Sequence, residues 1–467
     1  MRLVPILLFF LLPFCSSFSS AQNWIEEVVV RGEFRATSLR ELPSSASVLL
    51  PEKSAAVVNH LEDVISRSAN VNFSSGSSRA RYFQIRGIGE RGQFIEPINP
   101  SVGLLYDGVD LSGIGTAANI FDVSQVEILR GPQGTVYGAN SIAGTINIIS
   151  SDPTEEFEGS IEAETGDYGA FGVGLVLSGP VNSTSGYRLS VKDFRHDGFV
   201  ENVYLDRKDT NAKEEQIIRF KYKSKGENSQ WHLNLGKVNV NNGYDSFSLD
   251  NDRLSRSDQP GLDDQDTTFF SLLVKNNMSE HVDLELSGGL ASSDISYGYD
   301  EDWTFVGFDP WEYSSTDLYE RDVETFSYQA RMVSTINPSN KGDELSWVLG
   351  AYGYHHDLNL TRRYTYLEAD FTSRYKVDRF AIYGEVEKKL SKVWVLSLGL
   401  RGEETRLSYR DSSKLIYDPD DFMGGGRIQI ERRLNKEQLI YASANRGYKS
   451  GGFNTDGSID EDLRLFS

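Results

Sequence analysis

The sequence predicts a membrane β-barrel, antiparallel and incomplete with about thirteen strands present, that holds an N-terminal α+β domain inside its lumen. Three observations lead to this fold class. Polar and apolar residues alternate with a period of two from about residue 158 onward. Aromatic residues make up 12% of a chain whose mean hydropathy is only −0.40, which is typical of barrels with aromatic girdles. Residues 41–152 instead combine a short amphipathic helix with short strands.

The first residues predict a secretory signal peptide over residues 1–21. An apolar run from Leu3 to Phe14 is followed by a small, polar stretch in which Ser19 and Ala21 suit a cleavage site. The run is shorter than the about 20 apolar residues of a membrane-spanning helix. The single cysteine, Cys15, lies inside this segment. The mature chain is therefore predicted to lack disulfides, metal thiolates and a cysteine nucleophile.

The charge of the chain excludes one class of partner. The formal net charge is −21, whereas nucleic-acid binding requires a basic face. We therefore expect no nucleic-acid partner, and acidic loops that face cationic or metal-bearing solutes at a cell surface.

The barrel prediction depends on strands with two different faces. In residues 325–336, Phe326, Tyr328 and Met332 lie on one face, and Ser327, Gln329 and Arg331 lie on the other. Residues 218–222 and 394–403 repeat this pattern. The second face is too polar for a dry core but suits a wet lumen. Tight connections such as residues 337–340 and 390–392 alternate with long polar ones, as short periplasmic turns and long outer loops should.

The region from 41 to 152 predicts a compact domain rather than barrel strands. Residues 55–67 place apolar side chains on one stripe of a helix. Short strands are predicted at Tyr82–Arg86, Val102–Tyr106, Val126–Leu129 and Thr145–Ser150. A domain of this size fits only inside a very large barrel, of about 22 strands.

A glycine-rich stretch, residues 126–150, raises the question of phosphate binding. It has glycines at Gly131, Gly134, Gly138 and Gly144. No lysine follows the last glycine as in a P-loop, and the β-branched residues after Gly144 favour a strand over the helix of a dinucleotide fold. The glycines are better explained as points where the chain turns sharply between short strands.

Several motifs together resemble the TonB-dependent receptors of the Gram-negative outer membrane. The resemblance runs from residue 25 to the C-terminus. Its motifs are residues 83–89 (FQIRGIG), 106–109 (YDGV), 126–138 (VEILRGPQGTVYG) and 446–454 (RGYKSGGFN), the last similar to a barrel motif of iron-siderophore receptors. The resemblance implies that residues 22–40 form a TonB box and linker, 41–152 a plug domain and 153–467 the N-terminal part of a transmembrane β-barrel.

The resemblance also implies which residues bind the partner TonB. The predicted TonB box consists of Ile25, Glu26, Glu27, Val28, Val29 and Val30. A short β-branched segment near a terminus can add a strand to the exposed sheet edge of a partner. The alternative is an ordinary terminal strand docked on the plug. Because only residues 22–24 separate the cleavage site from the box, we expect no additional N-terminal signalling domain.

Two plug arginines are singled out by the same resemblance. In the family, arginines at the motif positions of Arg86 and Arg130 are implied to pair with barrel glutamates and to hold the plug in the lumen. An unpaired buried charge would be costly, which favours such pairs. The alternative is that both arginines are solvated in the wet lumen, where ion pairs contribute little.

No residue set predicts catalysis, a metal site or a cofactor. The long connections Asn241–Asp264 and Tyr299–Tyr319 carry acidic clusters, but calcium-loop spacing is absent and solvated charge is the preferred interpretation. The adjacent His355 and His356 should point to opposite faces of a strand. We therefore expect no enzyme, and the sequence singles out no ligand-binding residues.

The strand count departs from the family. About thirteen strands fall short of the about 22 of a plugged transporter, and we expect a fragment or a prematurely ended reading frame. The predicted function is TonB-dependent transport of a scarce solute across the outer membrane, with a ferric siderophore as the preferred cargo. Cobalamin, haem or oligosaccharide as cargo, a passive porin and a structural outer-membrane protein are the alternatives. The predicted partners are TonB, an extracellular small molecule such as a ferric chelate, and outer-membrane lipid.

Overall fold

The computed structural model describes residues 29–30, 34–35, 37–51, 58–311, 313–335, 345–435, 438–454 and 465–466. The predicted signal peptide, the first four residues of the predicted TonB box and the tight connection at 337–340 lie outside these residues. Within them, no helix is long and apolar enough to cross a membrane.

One antiparallel sheet of fourteen strands dominates the chain after residue 157. Thirteen of its strands follow one another: β10 Glu158–Thr165, β11 Phe171–Asn182, β12 Ser185–His196, β14 Lys213–Lys225, β15 Ser229–Tyr244, β17 Gly261–Ser279, β18 Val282–Asp300, β19 Thr316–Ser334, β20 Leu345–Tyr364, β21 Phe371–Lys389, β22 Trp394–Asp411, β24 Asp420–Arg433 and β25 Leu439–Arg446. The short strand β23, Ile416–Tyr417, pairs only with β22. The pairing order ends at β10 and at β25, so the sheet does not close among the described residues. The prediction of an incomplete antiparallel barrel is confirmed.

The two faces of the sheet differ as the alternation predicts. On β19, Phe326 and Tyr328 are 44% and 51% exposed on the outer face, as expected of a surface that contacts lipid. Between them, Ser327 turns toward the lumen and lines an internal cavity. Ile217, on β14, also turns inward, and it is buried against the domain inside the sheet.

The connections divide the sheet into two ends. Short turns such as residues 183–184, 226–228 and 280–281 join strands at one end, which we call the turn end. Longer segments, residues 197–212, 245–260 and 301–315, join strands at the other, the loop end. The strands also run further toward the loop end than the sequence predicts. Asp263 and Asp264, which are predicted to lie in a long connection, pair with β15 and continue β17 beyond its apolar part.

Two of the long connections are tied together. Strands β13 Glu201–Asn202 and β16 Leu254–Ser255 form a parallel pair. The buried Asp245 carboxylate accepts hydrogen bonds from the Asn202 amide, at 2.8 Å, and from the Ser255 hydroxyl, at 2.5 Å. The loop end therefore carries a fixed rather than a loose surface.

The N-terminal part forms a small α+β domain. A five-stranded sheet runs in the order β3 Ser45–Leu49, β8 Val123–Arg130, β9 Gly144–Ser150, β6 Val102–Tyr106 and β7 Val109–Asp110, with β6 and β9 parallel. The remaining elements are the strand pairs β1 Val29–Val30 with β2 Thr37–Ser38 and β4 Val71–Ser74 with β5 Tyr82–Ile85, the helices α1 Leu61–Ile65 and α2 Gly134–Tyr137, and short 3₁₀ turns at Gly115–Ala117 and Gly138–Ser141. A last pair, β26 Gly452–Phe453 with β27 Leu465–Phe466, follows the barrel strands.

This domain lies against the inner face of the large sheet. Its buried residues Ile146 and Ile148 belong to one continuous core with Val238 and Phe269 of the barrel strands. The four predicted plug strands all form, with ends shifted by at most three residues. The predicted helix is shorter, Leu61–Ile65, and residues 52–57 of the prediction are not among those described.

Candidate functional site

The contact between plug and barrel is the candidate functional site, and Arg79 is one of the plug residues that hold it together. Arg79 precedes β5 and donates to both carboxylate oxygens of Glu215 on β14, at 2.6 Å and 2.8 Å. It donates a third hydrogen bond, of 2.8 Å, to Glu62 of α1. All three side chains are buried or nearly so. Bidentate arginine–carboxylate pairs are the strong form of this interaction, so Arg79 fixes the plug to the wall.

A second arginine forms a parallel anchor. Arg81 donates to the fully buried Asp263 carboxylate on β17 at 2.6 Å. The other oxygen of Asp263 accepts from the backbone N–H and the hydroxyl of Ser78. Three plug groups thus satisfy one barrel carboxylate, as a buried charge requires.

The structure places the two predicted arginines elsewhere. Arg130 donates to the hydroxyls of Ser47 and Ser68 and to the carbonyl of Ala69, all within the plug. Arg86 is exposed and has a positive φ of 56°. Neither contacts a barrel glutamate in the part of the chain that the structure describes. Arg79 and Arg81 lie only a few residues before Arg86. These two arginines pair with barrel carboxylates, those of Glu215 and Asp263.

Burial and charge set the pKa values in the plug around Arg79. Burial alone would lower the pKa of Arg79, but the Glu215 and Glu62 carboxylates raise it. Burial would raise the pKa of Glu62, yet His60 and Arg79 bring it below its ordinary value of 4.5. Burial lowers the pKa of His60 below 6.5. The His60 ring accepts from the Glu62 backbone N–H at Nδ1 and lies 3.0 Å from the Gly115 carbonyl at Nε2. The ring is therefore neutral near pH 7, because a protonated Nδ1 could not accept, and it acts as a charge on Glu62 only once acid has protonated it.

These shifts predict that acid loosens the plug. A group whose folded-state pKa is depressed contributes stability above its ordinary pKa, and this contribution is lost as the pH falls. His60 should begin to destabilise the plug below about pH 6.5, and Glu62 below about pH 4.5. We expect His60→Asn, which keeps a good N-cap, to flatten the fall in plug stability between pH 6.5 and 5. Urea unfolding of the two proteins across this pH range measures it, and equal slopes would contradict the assignment.

The glycine-rich stretch, residues 126–150, lies against barrel residues at two of its glycines, Gly134 and Gly138. Around α2, the plug backbone contacts barrel groups: Tyr448 Oη lies 3.4 Å from the Gly134 carbonyl and 3.1 Å from Glu403 Oε2. Glu403 also holds Arg401 at 2.8 Å. A side chain at Gly138, whose φ is +75°, would place its Cβ 2.5 Å from Glu403 Oε2. The glycines thus let a buried barrel ion pair reach the plug backbone, which joins two sequence motifs in one contact.

The chain that precedes the plug sheet is docked at the turn end of the barrel. Phe34 stacks on Tyr383 with ring centroids 5.2 Å apart. Arg35 donates to the Ser334 hydroxyl at 2.8 Å and to the Trp347 carbonyl at 3.1 Å. Of the predicted TonB box, Val29 and Val30 are described; they form β1, and Val30 is fully buried. Residues 25–28 lie outside the described residues.

Aromatic side chains gather near the loop end of the lumen, in what we call the outer aromatic cluster. Its members are Phe94, Tyr244, Phe247, Tyr297, Tyr299, Trp303 and Tyr319. Phe247 and Trp303 are stacked at 4.8 Å. The guanidinium groups of Arg321 and Arg362 lie over the Tyr319 ring at 5.2 Å and 5.3 Å. The two guanidinium groups thus pack on the buried ring of Tyr319, and Arg362 is also paired with Asp317 at 2.8 Å.

The other sequence predictions concern metals and histidines. Among the described residues, no group of three or more His, Cys, Asp or Glu is arranged to hold a metal ion. His355 contacts the exposed Asp378, whereas His356 is directed at Thr325 on the neighbouring strand. The two histidines do not converge on one point.

Comparison with known proteins identifies what this arrangement resembles. The family model for the TonB-dependent Receptor Plug Domain matches residues 38–145. The pesticin receptor of Yersinia enterocolitica is 24% identical over 496 positions, which cover all of this chain and 70% of that protein. The ferripyoverdine receptor of Pseudomonas aeruginosa is 27% identical over 157 residues, covering 32% of this chain and 18% of that protein.

Solved structures show the same fold. The ferric yersiniabactin uptake receptor of Yersinia pestis superimposes with a TM-score of 0.75 at 19% identity, over 88% of this chain and 66% of that one. The unliganded ferric citrate transporter gives a TM-score of 0.70 at 15% identity, over 89% of this chain and 63% of that one. This chain thus spans about two-thirds of the length of the structures that it matches.

Proposed function

We propose that this chain, which belongs to the TonB-dependent receptors, serves the active transport of a scarce solute across the outer membrane, and that the solute is a ferric siderophore. The observation that carries the proposal is a plug domain anchored by buried ion pairs inside a large antiparallel sheet whose outer face is apolar. An open pore needs no such plug, which argues against passive diffusion. The work of moving the plug would come from TonB through residues 25–30.

The choice of solute is supported by the chemistry of the loop end. The outer aromatic cluster includes Phe94 and Trp303, which are 50% and 37% exposed, and exposed aromatic rings suit a chelate with aromatic or conjugated groups. The relatives include receptors for ferric siderophores. One relative over 35% of this chain is a vitamin B12 transporter of Vibrio vulnificus, so cobalamin stays the main competing cargo.

A substitution in the TonB box tests the energy dependence. Val28→Pro removes a backbone donor from a segment that is proposed to add a strand to TonB. We expect it to abolish uptake of radioactive iron presented as a ferric siderophore, in cells that lack other receptors for that siderophore. Val28→Ile keeps the strand propensity and should transport normally. Uptake by Val28→Pro at the parent rate would favour a porin.

The cargo is tested separately by binding. Tryptophan fluorescence is the readout, since Trp303 lies in the outer aromatic cluster. Ferric siderophores, ferric citrate, haem and cobalamin are titrated into the purified protein. We expect quenching at micromolar or lower concentration by a ferric siderophore only. Saturable quenching by cobalamin alone would replace the proposed cargo and leave the transport proposal intact.

A further inference from the structure

Two cavities lie between the plug and the same part of the barrel wall. The outer pocket lies toward the loop end, has a volume of only about 30 Å³, room for about one water molecule, and is lined by Arg81, Arg321 and Tyr354 among others. The inner cavity has a volume of about 310 Å³ and lies toward the turn end, where Lys223, His232 and Arg331 line it. Both face strands β18 to β20, so one lies above the other along the wall.

The two cavities meet at one plug residue. Asn140 lines both of them. Its amide oxygen accepts a hydrogen bond of 2.6 Å from Arg379 Nη1, on β21, and Arg379 Nη2 donates to Asn99 at 3.2 Å. The guanidinium also lies 5.1 Å from the centroid of the Tyr354 ring. Arg379 thus bridges from the wall to two plug asparagines at the level that separates the cavities.

Arg379 has a second barrel partner within reach. Its Nε atom lies 4.0 Å from Glu403 Oε1, which is longer than a hydrogen bond. Both atoms are buried, and neither has a hydrogen-bond partner among the residues that the structure describes. The other oxygen of Glu403 is taken by Arg401 and Tyr448. Unsatisfied buried polar atoms are costly, so a shift of about 1 Å that joins this pair would be favourable in itself.

The inner cavity suits a solute that passes rather than one that stays. Its wall is rich in small and hydroxyl side chains, namely Gly108, Ser141, Ser271, Ser287, Gly288 and Ser327. Both lysines in its lining are already paired, Lys221 with Asp107 at 3.3 Å and Lys223 with Asp152 at 2.6 Å. A polar solute would find many weak hydrogen bonds there, whereas both lysines are held by carboxylates.

We propose that Arg379 gates a route along this wall. In the closed arrangement its guanidinium holds Asn140 and Asn99 of the plug. In the open arrangement it turns to Glu403, and a polar solute moves from the outer pocket into the inner cavity while the Arg79 and Arg81 anchors stay in place. This inference rests on the proposed transport function but concerns the route alone.

Thiol labelling tests the gate without any solute or energy source. In a background where the single cysteine, Cys15, is replaced by serine, Ser287→Cys places one thiol in the inner cavity. A charged, membrane-impermeant methanethiosulfonate reagent is added outside cells that carry the protein. We expect Arg379→Gln and Asn140→Ala each to raise the labelling rate at least tenfold. Asn140→Ala leaves the arginine in place and keeps the test valid if Arg379→Gln does not fold.

A matched control lies on the same strand. Arg374 pairs with Asp357 at 2.6 Å and is 54% exposed, and Arg374→Gln should leave the rate unchanged. Adding Glu403→Gln to Asn140→Ala should lower the rate again, because the open arrangement loses its partner. Unchanged labelling in both gate variants, or an equal rise in Arg374→Gln, would overturn the gate. If Val28→Pro abolishes uptake and the labelling rates change as expected in the gate variants, both proposals stand.

Discussion

Arg79→Ala is expected to lower the free energy of plug unfolding by about 3–5 kcal/mol, because it leaves two buried carboxylates without their cation. Glu215 would lose both of its arginine hydrogen bonds, and Glu62 would lose one. The measurement is urea unfolding followed by the rate of tryptic cleavage within residues 45–150. The barrel strands should keep their own resistance, because the backbone pairing that joins them does not involve Arg79.

Two further variants make this result specific. Arg79→Lys keeps the charge but loses the planar fork that matches a carboxylate. Its free energy of plug unfolding should lie between that of the parent and that of Arg79→Ala. Arg207 pairs with Asp209 at 2.8 Å on the surface, with both side chains more than half exposed, and Arg207→Ala should cause no measurable change. If the two alanine variants behaved alike, the anchor role of Arg79 would be refuted.

Gly138→Ala is expected to lower the free energy of plug unfolding by clearly more than the strain of a positive φ alone would. The φ of 75° and ψ of −151° at Gly138 lie in a region that essentially only glycine occupies, and this backbone conformation alone costs an L-residue about 1–3 kcal/mol. At Gly138 the new Cβ would also lie 2.5 Å from Glu403 Oε2 and 2.9 Å from Arg401 Nη2. Both side chains are fully buried and bonded to each other. They cannot move aside without loosening a buried ion pair, which adds about 2–3 kcal/mol.

Gly113 provides the matched control for this effect. Its φ is +86°, close to that of Gly138, but a Cβ there would meet nothing within 4 Å. Gly113→Ala should therefore report the backbone strain alone. The difference between the two variants in urea unfolding measures the clash with Glu403 and Arg401 together with the strain from the ψ of −151° at Gly138. Equal losses would show that the barrel pair does not depend on a glycine at 138.

The fold class was predictable because it depends on local periodicity. The alternation around Phe326 and Tyr328 defines an outer and an inner face without knowledge of any partner strand. The plug strands were equally visible, since Val102–Tyr106 is a largely apolar run that ends before an Asp-Gly turn and Gly144–Ser150 is rich in β-branched residues. Strand ends were less accurate, because the pairing of polar residues such as Asp263 depends on the neighbouring strand.

The plug contacts were not predictable because they join residues far apart in the sequence. Arg79 meets Glu215 across 136 positions, and Arg81 meets Asp263 across 182. The family motif directed attention to Arg86 and Arg130, whereas geometry favours the arginines just before β5. A signal did exist, because Arg79 and Arg81 are two residues apart and so share one face of an extended segment. The acidic partners lie at lumen-facing positions, where a carboxylate needs a cation.

The attachment of the N-terminal segment determines how the plug responds to mechanical tension. Residues between Val29 and the plug sheet are connected in series: first the β1–β2 pair, then the stacking of Phe34 on Tyr383, then strand β3. Strand β3 is an edge strand that is bonded only to β8 in the five-stranded sheet. A force applied ahead of Val29 therefore breaks these weak contacts one after another. The plug would extend stepwise from its weakest edge, at a force set by single contacts rather than by their sum.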